Sequence, residues 1–296
     1  MDCHDPVEWG FRDTASQGVQ RCGRLCLCAS SSSFLCFEFP CAWNGLRRKL
    51  RLSGDLWFMA QLTVQPIPCL RDNYAYLVRC ESTGLVAVVD PSEAEPIQTA
   101  LRTFEGELTA IWNTHHHWDH TGGNEALVGQ YPGLQVLGHH SDRGRIPGQT
   151  DDLEDGSVFT FGELNVRVRH VPGHTTGSIA YFVQNEVFTG DMLFIGGCGR
   201  LFEGTPSMLF ESLSRLKRHC RPENRLWVGH EYTESNLRFA QAAEPQNEAI
   251  RKALERSHSL QVTIPGSWAD ELATNPFVRA ETVESLGALR AWKDEF

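Results

Sequence analysis

Residues 115–120 read H-H-H-W-D-H and follow directly on an apolar run, LTAIWNT at 108–114. No other feature of the chain restricts its fold as strongly. On extended backbone, side chains two apart share a side, so His115 and His117 converge on one point, and the turn that follows lets Asp119 and His120 face a second. Imidazole and carboxylate at such spacing suit zinc or a similar first-row metal. Four side chains cannot close two metal sites, so further donors have to arrive from elsewhere. The fold must therefore bring several strand ends to one rim.

Three donors stand where that requirement can be met. His174 in VPGHTTGS, Asp191 in FTGDMLF and His230 in WVGHEY each end a strand-like run. The two oxygens of Asp191 suit it to bridge both ions. His116 projects away from its neighbours and is read as structural. His139, His140, His170, His219 and His258 are read as packing or surface residues, and Cys198 in GGCGR as packing.

The surrounding pattern is one of short strands first. LTVQPIP (62–68), NYAYLVRC (73–80) and LVAVVD (85–90) are bounded by turn residues, and a helix over 93–104 opens with acids and Pro. After the histidine cluster come a short helix, then LQVLGHH, SVFTFG, LNVRVRHV, SIAYFV and EVFTGD, several alternating with period two. Thr205 is expected to cap a helix with Pro206 at its first position, and RLWVGH (225–230) is one more strand. Two groups of strands with interspersed helices imply two sheets packed face to face with helices outside. Beyond Tyr232 the segments 234–258 and 281–296 read as helical, joined by the Pro- and Gly-containing stretch 263–277. The expected division is an extension (1–58), a catalytic domain (59–232) and a C-terminal helical domain (233–296). No internal repeat has a fixed period.

Charge and cysteine set the first 58 residues apart. Of 296 residues, 27 are Lys or Arg and 37 Asp or Glu; seven and six of these lie before residue 59, which leaves 20 against 31 in the rest. An acidic body argues against a nucleic-acid substrate, since phosphate binding needs clustered cations. Six of ten cysteines (Cys3, Cys22, Cys26, Cys28, Cys36, Cys41) precede residue 58, without pairs at zinc-knuckle spacing. Asp2, Asp5, Glu8, Asp13 and Glu38 speak against a secretory signal or transit peptide. The extension is read as poorly ordered or as an over-long start, with Met59 the natural first residue. The scattered Cys69, Cys80, Cys198 and Cys220 fit a reducing compartment. No apolar run approaches the roughly 20 residues that span a bilayer. A soluble, cytoplasmic monomer is expected, with neither a nucleic-acid nor a membrane partner.

Taken in order, THHHWDH, PGHTTGS, TGD and GHEY resemble the metallo-β-lactamase superfamily. LRDNYAYL, GCGRLFEGTP, GHEYTESNLRFA, NPFVR and LRAWKDEF extend the resemblance, over about residues 59–296, to glyoxalase II, the hydroxyacylglutathione hydrolases. The resemblance implies an α+β fold, an αββα sandwich of two mixed sheets with a small C-terminal helical domain. It implies a pair of divalent ions, most simply Zn2+ with Fe or Mn as alternatives. One would sit on His115, His117, His174 and Asp191, the other on Asp119, His120, Asp191 and His230. It implies hydrolysis of S-D-lactoylglutathione to glutathione and D-lactate, with Asp119 and Asp191 as catalytic residues. Arg200, Tyr232, Arg290 and Lys293 would contact glutathione; Arg200 stands where many members have Lys, and Phe202 where Tyr is common. The alternatives are another superfamily hydrolase, a mononuclear iron dioxygenase acting on glutathione persulfide, or a non-catalytic metal-binding scaffold.

Overall fold

The computed structural model describes residues 61–296, so the expectation for residues 1–58 lies outside the described residues. The described part forms one compact unit. Its first half runs β1 (Leu62–Cys69), β2 (Asn73–Cys80), β3 (Leu85–Val89), α1 (Ala94–Leu101), β4 (Glu107–Trp112), α2 (Trp118–Thr121), α3 (Asn124–Gln130), β5 (Gln135–His139) and β6 (Asp151–Leu153). These strands form a six-stranded sheet in chain order, antiparallel through β3 and parallel from β3 to β6.

The second half continues with β7 (Val158–Phe161), β8 (Leu164–His170), β9 (Ile179–Val183) and β10 (Glu186–Gly190), then a small hairpin of β11 (Leu193–Phe194) and β12 (Gly197–Cys198). After α4 (Pro206–His219) come β13 (Arg225–Val228), α5 (Thr233–Ala243), α6 (Glu248–Ser257), β14 (Gly266–Ser267), α7 (Trp268–Thr274), α8 (Pro276–Arg279) and α9 (Val283–Glu295). The second sheet has the order β14-β13-β10-β9-β8-β7 and is also mixed, with β10 and β13 parallel. The αββα sandwich expected from the resemblance is thus observed.

Alternation in β2 explains the layering. Tyr76 and Val78 face inward and join the core between the sheets, together with Trp112, Val166, Tyr181 and Phe188. Ala75 and Leu77 face outward and are covered by Ile97 of α1 and Leu127 of α3. Burial on both faces is why these strands read as nearly continuous apolar runs. Aromatic rings lock the two sheets together: Trp112 stacks on Tyr181 at 5.5 Å, and Tyr76 meets Phe188 at 5.5 Å and Trp227 at 5.4 Å.

Thr205 does cap α4, its hydroxyl accepting from Met208 N at 3.3 Å with Pro206 in the first turn. Two details differ from the sequence reading. The helical stretch 234–258 is two helices, α5 and α6, because Pro245 lies between them and Asn247 opens the second with its side chain. The joining stretch 263–277 is not a plain linker: it holds β14, α7 and α8. Its Pro and polar residues start helices here, with Ser267 and Asn275 as caps and Pro276 at a helix start.

The C-terminal helices grip the β11–β12 hairpin through a buried polar group. Glu271 of α7 is fully buried and accepts from Gly196 N at 3.0 Å and from Asn275 Nδ2 at 2.7 Å. Asn275 Nδ2 also donates to Gly197 O at 3.0 Å. Burial pushes the Glu271 carboxyl up to about 8, against the lowering effect of its donors Asn275 and Gly196. Because the folded pKa lies above the unfolded one near 4.5, this group favours folding at low pH, and that contribution is lost as pH rises to about 8. Urea unfolding of the metal-loaded protein between pH 6 and 9 is therefore expected to show a decline with pH, of which Glu271 contributes at most about 1.4 kcal/mol per pH unit. Glu271→Gln should have the shallower slope; parallel curves for the two proteins would remove this role.

Candidate metal centre

Five strand ends meet at one rim of the sandwich. β4 runs into Asn113, whose amide donates to Leu137 O at 2.9 Å and whose side chain donates to His120 O at 3.1 Å. That closes the 115–120 turn on itself. Ile179 N, on the opposite sheet, donates to Thr114 O at 2.9 Å, and the Tyr181 hydroxyl donates to Asn113 O at 3.0 Å. The histidine turn is thus fixed to both sheets.

Two glycines permit the approach. Gly190 has φ +51°, and a Cβ there would fall 2.2 Å from Thr114 Oγ1. A Cβ on Gly229 would fall 2.0 Å from Asp191 Oδ1, so only glycine lets the His230 segment lie against that carboxylate.

The donors form two groups around Asp191. His115, His117 and His174 have nitrogens close enough to share one ion, and so do the donor atoms of Asp119, His120 and His230. Within the first group His174 Nε2 lies 3.0 Å from His117 Nδ1. Asp191 reaches both groups: its Oδ1 is 3.2 Å from His120 Nε2, and its Oδ2 is 3.6 Å from His174 Nε2 and 3.3 Å from His230 Nε2. Asp119 Oδ2 lies 3.3 Å from His230 Nε2.

The opposite ring nitrogens are already engaged, which settles which face is free. Thr114 Oγ1 donates to Asp90 Oδ2 at 2.6 Å, so it accepts from His115 Nδ1 at 3.1 Å and leaves Nε2 bare. His120 Nδ1 donates to Asp90 Oδ2 at 3.1 Å, His230 Nδ1 to Asp72 Oδ1 at 2.8 Å, and His174 Nδ1 to Arg200 O at 2.8 Å. Asp90 also falls within reach of His115 and His120 as a third group, but its oxygens are committed to Thr114 and His120. It is a support and not a donor to the centre.

Electrostatics give His115, His117, His174 and both carboxylates the protonation that metal binding needs, whereas His120 and His230 carry protons that a bound ion would displace. Burial, then neighbouring imidazoles, holds His115 well below the usual histidine range and takes His117 down to about 4; burial likewise lowers His174. Burial pushes Asp191 up, but His120 and His230 outweigh it and keep the carboxylate ionised. Burial pushes Asp119 up as well, but His230, His120 and Asn73 together outweigh it and hold the carboxyl below the ordinary range. Burial opposes charge on His120 and His230 too, but the carboxylates win and raise both, His230 to about 10. Buried anions thus pull a positive charge onto the centre.

The residues fit a divalent metal. His115 Nε2, His120 Nε2 and Asp191 Oδ1 are buried without a hydrogen-bond partner, all at one point, which in a folded interior needs a cation to justify it. Among the described residues, none of the other histidines joins such a group. His139 stacks on His170 at 4.3 Å, His258 faces Glu234 at 3.5 Å, and His116 turns away towards Arg145.

A cavity of about 990 Å³ opens from this centre, and His174, Asp191, Arg200, Phe202, Tyr232, Arg290 and Lys293 all line it. Phe202 sets its ring edge-on to His117 and His174, and Tyr232 stacks on His230 at 4.7 Å. Arg200 pairs with Asp294 at 3.4 Å. Lys293 Nζ donates to Ser235 O at 3.1 Å and lies over the rings of Phe239 and Phe296. Arg290 is buried, with Nη1 donating to Cys198 O at 2.7 Å and Nη2 to Asp294 at 3.0 Å.

Comparison with known proteins agrees with this construction. Residues 70–263 match the family described as the metallo-beta-lactamase superfamily, and residues 231–296 the one described as hydroxyacylglutathione hydrolase C-terminus. A hydroxyacylglutathione hydrolase of Gloeobacter violaceus is 45% identical over 253 residues, covering 79% of this chain and 100% of the relative. One of Synechocystis sp. is 40% identical over 258 residues, with 79% and 100% covered. Among solved structures, ETHE1 from Myxococcus xanthus superposes with TM-score 0.62 at 24% identity over 77% of this chain and 90% of that one, which speaks for the fold. Sandwich and donor groups together are those of a metallo-β-lactamase-type metalloprotein. Within that class, the chain belongs to the hydroxyacylglutathione hydrolase family.

Sequence reasoning missed Asp90 and Asp72, each an acid at the end of a strand or in a turn. Asp90 closes an apolar run just as Asp191 does, and that was its one local signal. Asp90→Asn cannot accept at both oxygens. It is expected to weaken metal binding about 10- to 100-fold by equilibrium dialysis and to cost about 1–3 kcal/mol in urea unfolding. Unchanged values in both measurements would rule out the support assigned to Asp90.

Proposed function

We propose that this chain is a glyoxalase II: it hydrolyses S-D-lactoylglutathione and related S-2-hydroxyacylglutathiones to glutathione and the 2-hydroxy acid, the second step of methylglyoxal detoxification. The observation that carries the reading is one cavity lined both by the donors His174 and Asp191 and by the cations Arg200 and Lys293. The family match over residues 231–296 favours thioester hydrolysis over persulfide oxidation or a non-catalytic scaffold.

In this reading His115, His117, His174 and Asp191 hold one divalent ion and Asp119, His120, Asp191 and His230 the other. Imidazole and carboxylate donors suit Zn2+, with Fe and Mn as the alternatives that metal analysis separates. Bound there, the ions supply Lewis acidity and bring the pKa of water down towards about 7.

The chain's own residues do the rest. Asp119, fixed by Asn73 Nδ2 at 3.1 Å, keeps an ionised carboxylate towards the centre and orients the attacking water. Water adds to the thioester carbonyl carbon with loss of a proton to solvent, the C–S bond breaks, the thiolate leaves with the electron pair, and the acid formed gives its remaining proton to the thiolate or to solvent. A thiol pKa of about 8.5 means that this leaving group needs little protonic help. Phe202 shields the His117 and His174 side from solvent. Arg200, Tyr232 and Lys293 bind the glutathione portion; Arg290, expected beside them, is buried with its nitrogens on Cys198 O and Asp294 and holds the wall behind them.

We further propose that residues 59–232 form the catalytic part, residues 233–296 the glutathione-binding part, and that the enzyme is a cytoplasmic monomer. Among the described residues no helix is long and apolar enough to cross a membrane.

His117→Ala and Asp191→Ala are expected to lower kcat/KM for S-D-lactoylglutathione more than about 100-fold, with loss of bound metal by elemental analysis. Lys293→Ala should raise KM about 10- to 100-fold, the worth of one charge-assisted contact, with kcat within about threefold. Full activity in Asp191→Ala would sink the bridging role. A single tightly held iron, with oxygen consumed on glutathione persulfide, would overturn the hydrolase reading.

A further inference from the structure

His116 is the one member of the opening cluster that the centre does not use, yet it is far from idle. Asp142, Arg145 and Glu203 meet at its ring, and the 174–177 loop joins them through Glu203. Its Nδ1 lies 3.3 Å from Asp142 Oδ1, and its Nε2 contacts both Arg145 Nη2 and, at 3.6 Å, Glu203 Oε1. A guanidinium can only donate, so the Nε2 lone pair is taken up by Arg145 and is not free for a metal.

Arg145 pairs with Glu203 through Nη2, and its Nη1 lies 3.4 Å from Asp142 Oδ1. The Glu203 carboxylate in turn accepts from Thr176 N at 2.8 Å and from Thr176 Oγ1 at 2.9 Å. The backbone repeats the link, since Phe202 N and Glu203 N donate to His174 O at 3.1 and 3.3 Å. Asp142 is fully buried, and a Cβ on Gly177 would fall 2.4 Å from its carboxylate, so the 174–177 loop closes on this cluster only with glycine there.

We infer that Arg145 and Glu203, meeting across His116, form a clamp that sets the loop of His115 and His117 against the loop of His174 and so positions these three histidines as one metal-binding set. The inference rests on the metal-centre reading above and adds the residues that hold half of it in shape. Arg145 and Glu203 are positioning residues; neither has a contact to the donor nitrogens themselves. The other set, Asp119, His120 and His230, has its own supports in Asn73 and Asp72, shares Asp90 with His115 through Thr114, and does not touch the clamp. An ordinary half-exposed ion pair would matter little to anything. A clamp built into one loop pair should instead act on one metal site and spare the other.

Chelator competition with the zinc-loaded full chain separates these cases. Arg145→Ala is expected to weaken one of two zinc equivalents about 10- to 100-fold while the other stays within about threefold. Asp72→Asn should weaken the other equivalent instead. Guanidinium ion added to Arg145→Ala should restore the lost equivalent, and Arg145→Lys, which keeps the charge but not the fork, should restore it only in part. kcat should fall with the lost metal while KM stays within about twofold. Arg251→Ala, in a remote surface pair with Glu248 and Glu255, should change nothing. Should Arg145→Ala fail to fold, the isosteric Glu203→Gln carries the same expectations.

Equal weakening of both equivalents, no weakening, or a rise in KM alone would each overturn the clamp. A wild-type chain that holds two equivalents beside an unaltered Arg145→Ala removes the clamp only. A wild-type chain that holds none removes the metal-centre reading and the clamp with it.

Discussion

Two ionised carboxylates and five imidazoles share the rim of this sandwich, with His115, His120, His174, Asp191 and His230 all buried. Carboxylates taken out of water cost several kcal/mol each unless positive charge and hydrogen bonds meet them. The arrangement is stable because it demands a cation. The anions Asp119 and Asp191 draw charge onto His120 and His230, whereas His115, His117 and His174 stay neutral donors. Loss of that balance would leave buried charge without compensation at the rim.

Holding such a rim falls to the packed sheets. The first sheet supplies four of the seven donors and the second three, so the centre exists only if the sheets keep their register against one another. Trp112 and Tyr181 do this directly: Trp112 ends β4, the Tyr181 ring stacks on it, and the Tyr181 hydroxyl reaches Asn113 at the head of the histidine turn. Core packing and site geometry are therefore one interaction there. The same economy appears on the opposite side, where Tyr74 N donates to Gly229 O and Glu231 N to Asp72 O, joining β2 to the His230 segment.

The legible parts of the chain are those whose signal is local. His115 and His117 fall in one donor group, as their spacing of two predicts, and His174, Asp191 and His230 each follow an apolar run with glycine close by. Thr205 and Pro206 announce a helix start within two residues. Asp72, Asp142, Arg145 and Glu203 carry no such signal, and Asp90 carries only half of it, an apolar run without a glycine beside it. Acids and arginines at turns are ordinary, and what these do depends on which turn lies opposite after folding. The stretch 263–277 was misread for a related reason. Pro276 and Ser267 mark helix starts as readily as linkers, and only the buried side of α7, with Trp268 and Glu271, decides between them.

The substrate end of the cavity shows why charge count alone says little about ligand sign. The body is acidic, but at physiological salt surface charges beyond about 8 Å are largely screened, so a bound anion responds to its nearest neighbours. Those neighbours are Arg200 and Lys293, tempered by Asp294. Separating Arg200 from Asp294 costs little, because both side chains are largely in solvent and exposed pairs are weak. A substrate carboxylate can take that place at small expense. Arg290 cannot respond in the same way, since its Nη1 is bonded to Cys198 O inside the protein. Its charge fixes the β12 end of the hairpin that carries Gly199 and Arg200, and through the Arg200 carbonyl it orients His174. The glutathione-facing wall and the metal-facing wall are thus joined through one short hairpin, so a change at either wall is expected to be felt at the other.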